Sequence, residues 1–504
     1  MWMRFRLSDI RIVLHFVGML LLGMAIAMSV PFVTGLLTRE WGAALDYLVG
    51  MGVAAAIGVL LMHADPSPRH MNHTHALAIT AFGWAAAAAV AAVPLSLSGH
   101  YPTYLDAAFD AISGLTVSGL TVVVDLDHMA LTHNMWRHLT QFIGGQGIVV
   151  AALSLAVGLR GGAFSLYLAE GRDERILPNV LHTARFIWVV TAVYVTLGTL
   201  AFLAIATYLG MSPGRGILHS LWLAAAAFDT GGFAPMRMNL MYYHNYLFEA
   251  VALVLMMAGS INFALHAHVW RGDRVELRKN LEPKVLAIVV ATMSALVAVG
   301  LTYTTSFAEP FEVFRKGVFQ VISGHSAGHQ TVYGHQLATD FGGVGLIAIM
   351  IGMAVGGSLS STGGGVKALR IGVITKSIVL HMKQALAPRS SAMAVRYHHL
   401  GERILTPEVT GAAATVFILY LGTYLLGGVA GAAYGYGAAE AMFESISATA
   451  NSGLSIGITS ASMPVGLKFV YMFQMWAGRL EFIAVLVLIT QLVLAFDVRR
   501  LRSA

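Results

Sequence analysis

Phe109-Asp-Ala-Ile-Ser-Gly-Leu-Thr-Val-Ser-Gly-Leu-Thr121 begins as an amphipathic segment and ends in small, hydroxylated and glycine residues. It lies between two long apolar runs, 76–97 and 135–159. The part from 104 to 115 is too short to cross a bilayer and too apolar for a plain loop. Stretches of the same kind recur at 216–228, 311–322 and 438–448, each followed by small and polar residues and then by another apolar run. The unit is helix, re-entrant half-helix, extended loop, helix. Four copies in one chain outrank any single motif in deciding the fold.

Composition sets the solvent. Of 504 residues, 57% are hydrophobic and 11% charged, and the mean hydropathy is +0.72. Soluble domains carry about 25% charged residues. Lipid forces backbone groups to pair within each segment, which leaves helices or a closed barrel. A barrel shows alternating segments of roughly ten residues, whereas the runs here are longer and rich in Ala, Leu and Val. The expected fold is an all-α polytopic membrane protein with four helix–pore-loop–helix repeats around one pore, preceded by two extra transmembrane helices. There is no cysteine, so disulfide and thiol chemistry are excluded.

Ten spans are expected, near 12–30, 43–62, 76–97, 135–159, 186–209, 246–269, 285–303, 344–380, 412–429 and 467–496. The first is too long for a signal-peptide core and is read as retained. The two longest require tilt, a break or an extension beyond the bilayer. With a cytoplasmic N-terminus, 23 of the 31 Lys and Arg fall in inner segments. That bias supports the count and places both termini in the cytoplasm. It also accounts for the net charge of +6 without nucleic acid. The organisation is a two-helix unit at 1–75 and repeats at 76–160, 161–270, 271–403 and 404–504.

The four loops read Thr116-Val117-Ser118-Gly119, Asp229-Thr230-Gly231-Gly232, His325-Ser326-Ala327-Gly328 and Ala450-Asn451-Ser452-Gly453. Their closing glycines are 113, 96 and 125 residues apart. Ile112-Ser113, Ile322-Ser323 and Ile446-Ser447 precede three of them, and the third copy is one residue shorter between its Ser and its Gly. A dehydrated monovalent cation regains its ligands from neutral carbonyl oxygens, which bind it weakly enough to let it leave. Aiming successive carbonyls at one axis requires small residues or glycine. The half-helix C-termini direct their negative dipole ends to the cavity below. The acids Asp106, Asp110, Asp125, Asp127, Asp229, Glu309, Glu312, Asp340, Glu440 and Glu444 lie in outer loops, where negative charge concentrates cations.

Below the filter, the stretch 350–376 is broken by Gly356-Gly357 and Gly363-Gly364-Gly365. Small and hydroxyl residues between them favour a loop across the cavity over a lipid-facing helix. There Ser358, Ser360, Ser361 and Thr362 satisfy loop backbone or replace ion hydration. Arg479 is the one basic residue assigned to membrane depth, a costly position that calls for a partner or a wet cavity.

These residues resemble the superfamily of potassium transporters that includes TrkH, KtrB and the plant HKT proteins. The resemblance spans essentially the whole chain. It rests on Ser113-Gly-Leu-Thr-Val-Ser-Gly-Leu-Thr121, Gly144-Gly-Gln-Gly-Ile-Val149, Ala227-Phe-Asp-Thr-Gly-Gly-Phe233, Gly356-Gly-Ser-Leu-Ser-Ser-Thr-Gly-Gly-Gly-Val-Lys367 and Gly478-Arg-Leu-Glu-Phe482. The two leading spans resemble TrkH more than KtrB. The resemblance implies potassium uptake across a bacterial-type cytoplasmic membrane, with potassium bound at the filter backbone as substrate and no covalent cofactor. It assigns the filter glycines to Gly119, Gly232, Gly328 and Gly453, the gate to the loop 356–365, and a pore-facing barrier to Arg479. It also implies a homodimer whose cytoplasmic face binds nucleotide-binding regulatory subunits of the TrkA/KtrA type. The basic segments 271–284 and 376–403 are the contact candidates. Val117-Ser118, Asp229, His325 and His329 depart from the common pattern and bear on potassium-over-sodium selectivity. Histidine ordinarily titrates near neutral pH, so an effect of protonation on conduction is expected at these two positions rather than metal binding.

Three other readings compete. A KdpA-like potassium-binding subunit of an ATP-driven pump shares the fourfold architecture. A solute transporter with inverted repeats predicts no four re-entrant loops. A membrane enzyme requires a cluster of acid, base and nucleophile, which the chain lacks, and no Walker motif is present.

Overall fold

A helix satisfies its own backbone polar groups, and among the described residues the regular structure is helical apart from one small hairpin. The computed structural model describes residues 7–65, 71–147, 180–304, 309–388 and 393–496. Among them, six helices are long and apolar enough to cross a membrane, and two further pairs pass that test if each is one broken span. The expected span 135–159 is described as a helix, Leu131–Gln146. Its remainder, with Ile148, Val149 and the repeat boundary at 160, lies outside the described residues.

The chain divides into two compact units, one comprising 1–116, 121–186 and 480–504, the other 117–120 and 187–479. In the first, Leu7–Ala27 and Trp41–Met62 pack backbone to backbone. A methyl group on Gly18 would lie 2.5 Å from the carbonyl oxygen of Gly58. Small residues permit such approach where lipid gives no hydrophobic drive for helix association. His73–Leu97 is capped by Asn72, whose side chain accepts from the His75 amide at 2.8 Å. It packs against the half-helix Tyr104–Leu115. That half-helix starts in a capping box: Asp106 N donates to Thr103 Oγ1 at 3.2 Å and Thr103 N to Asp106 Oδ2 at 3.1 Å.

The second unit holds the half-helices Pro213–Phe228 and Ala438–Ala450 and a third composed of Pro310–Glu312, a π-helical segment Val313–Val318, and Phe319–Ser326. Leu281–Thr304 and Pro407–Ala433 are its long uninterrupted spans. The hairpin pairs Arg396–His398 with Glu402–Ile404 antiparallel.

The expected spans 246–269 and 344–380 are not continuous. The first bends by 98° between Tyr246–Gly259 and Phe263–Trp270. The second is Gly342–Ala354, a non-helical stretch, then Ala368–Leu386. Helix also ends at Gln146 and at Arg479, the latter followed by left-handed Glu481 and Phe482. Among the described residues, breaks therefore fall after Gly259, Ala354 and Arg479. Three of the helices that follow a half-helix press a glycine on its end. A methyl group on Gly144, Gly259 or Gly478 would lie 1.8, 1.8 or 1.9 Å from the carbonyl oxygen of Leu115, Phe228 or Thr449, respectively.

Candidate functional site

The four segments expected as extended loops leave their half-helices through tight turns before they extend. In the second copy, Gly231 N donates to Ala226 O at 2.8 Å and Thr230 is left-handed. In the fourth, Ser452 N donates to Ser447 O at 2.9 Å and Asn451 is left-handed. This is the Schellman ending of a helix. Val117 takes the same conformation after Thr116, whose hydroxyl donates to Ile112 O at 2.7 Å. For β-branched Val117 and Thr230 a positive φ stores strain, a feature concentrated at functional sites. The four closing glycines all follow with φ between +68° and +89°.

The third copy differs. Its six-to-one bond runs from Gly328 N itself to Ser323 O, and Ala327 has φ −127°. One residue of the turn is missing, which is the shortening visible in the sequence. The π-helical turn Val313–Val318 upstream inserts an extra residue per turn, a change in helix register of the kind found at functional sites.

Within the second unit, the four segments meet in a closed circuit. A methyl group on Gly119 would lie 2.3 Å from Gly231 O, one on Gly232 2.0 Å from Ala327 O, one on Gly328 2.0 Å from Ser452 O, and one on Gly453 2.3 Å from Ser118 O. Each glycine therefore abuts the carbonyl of the residue before the next glycine. Side chains brace the circuit: Asn451 Nδ2 donates to Ser118 Oγ at 2.7 Å and to Met475 O at 2.9 Å, and Ser452 Oγ donates to Gly324 O at 2.7 Å.

Four acids expected at an entrance, Asp106, Asp110, Asp229 and Glu444, are buried instead. Asp106 belongs to the capping box above. Asp110 pairs with Arg137, Nε to Oδ2 at 2.8 Å with both side chains fully buried, and accepts from Tyr101 OH at 2.8 Å and Thr121 Oγ1 at 2.5 Å. Glu444 accepts from Ser455 Oγ at 2.5 Å and from the amides of Ile458 and Thr459 at 3.0 and 3.2 Å. Gln320 Nε2 donates to Thr331 Oγ1 at 2.9 Å. Asp110, Gln320 and Glu444 each stand three residues before the serine of an Ile-Ser pair. Each ties the chain beyond its closing glycine back to its half-helix. The second copy has Leu223 and Ala234 there. Aligning the repeats on their serines is the signal that finds these struts.

Asp229 and His325 are buried. His329 is turned away from the circuit: its Nδ1 lies 3.0 Å from Asn239 Oδ1, and Asn239 Nδ2 donates to Gly232 O at 3.2 Å. Among the described residues, no group of three or more His, Cys, Asp or Glu is placed to hold a metal.

The loop 356–365 folds on itself and against the ends of neighbouring elements. Gly356 N donates to Val366 O at 3.0 Å, Ser358 N to Ser260 O at 2.9 Å and Thr362 N to Gly259 O at 3.2 Å. Thr362 Oγ1 reaches Phe228 O at 3.1 Å and Gly259 O at 2.9 Å, and accepts from Thr230 Oγ1 at 3.2 Å. Ser361 Oγ donates to Ser358 O at 2.6 Å, and Lys367 Nζ to Gly363 O. Gly357, Ser358, Ser360 and Gly363 are likewise buried, and Gly364 is partly buried. A methyl group on Gly364 would meet Ala450 O at 2.1 Å, and the Cα of Gly365 packs on Gly356. Arg479 is half-buried and donates from Nη1 to Thr362 O at 2.7 Å.

The comparisons with known proteins agree on one family. The family model TrkH, described as a cation transport protein, matches residues 48–493. The chain belongs to the TrkH family. It is 29% identical over 489 residues to an uncharacterized cation transporter of Methanocaldococcus jannaschii, covering 96% of each chain. It is 28% identical over 499 residues to the Trk system potassium uptake protein TrkH of Halomonas elongata, covering 96% of this chain and 98% of that one. The crystal structure of the potassium transporter TrkH from Vibrio parahaemolyticus shares its fold, with TM-score 0.81 at 22% identity over 95% of this chain and 98% of that one. This TrkH-family chain is a multi-pass membrane transport protein and not an enzyme.

Proposed function

We propose that this protein takes up potassium ions across a cytoplasmic membrane, with both termini in the cytoplasm. Potassium passes the ring closed by Gly119, Gly232, Gly328 and Gly453. The loop 356–365 is the gate below it and Arg479 a cation barrier. The observation that carries the reading is the circuit in which every glycine abuts the next segment's carbonyl. Such a ring presents neutral oxygens on all sides of one axis. Relatives named Trk system potassium uptake proteins support potassium as the ion. An inside-negative potential supplies about 2.3 kcal/mol per charge per 100 mV. The four repeats keep the boundaries 76–160, 161–270, 271–403 and 404–504. The working assembly is a homodimer whose basic cytoplasmic segments 271–284 and 376–403 receive TrkA/KtrA-like regulatory subunits.

The KdpA-like alternative is not favoured, since the TrkH family match runs over 48–493. A second reading, weaker discrimination of potassium from sodium, is favoured by the shortened third turn at Ala327-Gly328. Rubidium and sodium flux in proteoliposomes tests both. Gly119→Ser and Gly232→Ser should lower rubidium flux or its ratio to sodium flux. Wild-type flux of both ions in the variants sinks the filter assignment.

A further inference from the structure

A chain of polar contacts, exposed at Glu402 and buried from Asn280 inward, runs from the hairpin to the loop 356–365. Glu402 Oε1 lies 2.9 Å from His398 Nδ1, and His398 Nε2 lies 2.7 Å from Glu276 Oε2. Glu276 Oε1 accepts from Asn280 Nδ2 at 3.0 Å and from Leu400 N, at the hairpin turn, at 2.9 Å. Asn280 Oδ1 accepts from Glu282 N at 3.0 Å and lies 3.4 Å from His399 Nδ1. That nitrogen is 3.7 Å from Glu282 Oε2, which also accepts from Asn262 Nδ2 at 3.4 Å. At the far end, Glu282 Oε1 accepts from Leu359 N at 2.6 Å. Asn280, Glu282 and His399 are fully buried.

A buried carboxylate is expensive unless its oxygens are paired. Here the backbone amide of a non-helical loop residue supplies one of the partners, so the loop's position satisfies the carboxylate and the carboxylate holds the loop. A second grip runs in parallel. Tyr397 of the hairpin shares an apolar cluster with Val373, Leu405 and Ala413, and Val373 lies on the helix that leaves the loop.

We propose that Glu282 is a positioning residue of the gate and that, through His399, Asn280 and Glu276, it couples the hairpin Arg396–Ile404 to Leu359. Movement of the hairpin is thereby transmitted to the loop through the side chains of Glu276, Asn280 and Glu282. The inference rests on the reading of 356–365 as the gate.

Single-channel recordings of the purified full chain in planar bilayers separate positioning from general damage. Glu282→Ala should change the open fraction about tenfold, the scale of one lost charge-assisted hydrogen bond. Unitary current and the rubidium-to-sodium ratio should stay at wild-type values. Glu282→Gln keeps an acceptor for Leu359 N and should return most of the wild-type open fraction. His399→Ala should shift it in the same direction, and the double variant should shift it no further than Glu282→Ala alone. A wild-type open fraction in Glu282→Ala overturns the inference, as does equal behaviour of the Ala and Gln variants. If Glu282→Ala fails to fold, an unchanged open fraction in His399→Ala overturns it. Deletion of Ser360-Ser361 tests the gate itself. No change in open fraction on deletion removes the gate reading, whereas a change there with none in Glu282→Ala removes only the role of Glu282.

Discussion

The Cα of Gly328 faces the carbonyl oxygen of Ser452 so closely that a methyl group would stand 2.0 Å from it. With φ +68°, any side chain at Gly328 also adopts a left-handed backbone, a cost of roughly 1–2 kcal/mol before the clash is counted. The collision is with backbone, so no rotamer relieves it. Gly328→Ala should therefore lower rubidium flux in proteoliposomes at least about tenfold. Gly422, exposed on a long span with open space at its Cα, is the control, and Gly422→Ala should keep wild-type flux. Equal flux in both variants would show that the circuit is not the ion path.

Arg479 Nη1 donates to Thr362 O at 2.7 Å and brings a positive charge to the loop 356–365, the proposed gate. Arg479→Ala removes both the tether and the charge, so basal cation flux should rise severalfold. Arg479→Lys retains the charge but lacks the planar, forked donor set. Its flux should lie between the two. Unchanged flux in well-folded Arg479→Ala protein counts against a barrier.

Asp110 and Arg137 form a fully buried ion pair supported by Tyr101, Thr121 and Asn134. Removing one partner leaves a buried charge unpaired, a loss of about 3–5 kcal/mol. Asp110→Ala should lower the thermal unfolding midpoint in detergent sharply. Asp110→Leu combined with Arg137→Met should lower it less, because neither residue then carries a buried charge. A double variant less stable than Asp110→Ala would refute the ion-pair account.

His398 lies between Glu276 and Glu402, and its hydrogen bonds to the two carboxylates raise its pKa above the ordinary value of 6.5. A raised folded value means that the stabilisation is complete below 6.5 and is lost as pH rises through the folded value. Amide hydrogen exchange across 396–404 should be slowest below that point and accelerate above it, after correction for intrinsic rates. His398→Gln should abolish the excess pH dependence. A hairpin whose corrected protection rises with pH would contradict the assignment.

Much of this architecture is legible in the chain because the signals are local. Tyr104–Leu115 has the bounds expected from its apolar pattern, and the glycine runs at 356–365 do interrupt their span. Other features depend on tertiary partners. The break after Gly259 carries no proline or glycine run; Ser358 N from a distant segment donates to Ser260 O in the turn, and Ser360 O accepts from Phe263 N just after it. Asp110 and Glu444 look like solvated charges until Thr121, Arg137 and Ser455 close on them. The shortened turn at Ala327-Gly328 shows in the sequence as a missing residue between Ser323 and Gly328, whereas nothing local marks the π-helical turn at Val313–Val318.

Asn451 reaches Ser118 across 333 residues of chain. Gly453 likewise needs the Ser118 carbonyl as its neighbour. The circuit is therefore completed by its first and last quarters, and a ribosome must finish the fourth before the first is enclosed. Three-quarters of the protein inserted in a bilayer has no ring, so a nascent chain carries no finished hole through the membrane that is making it.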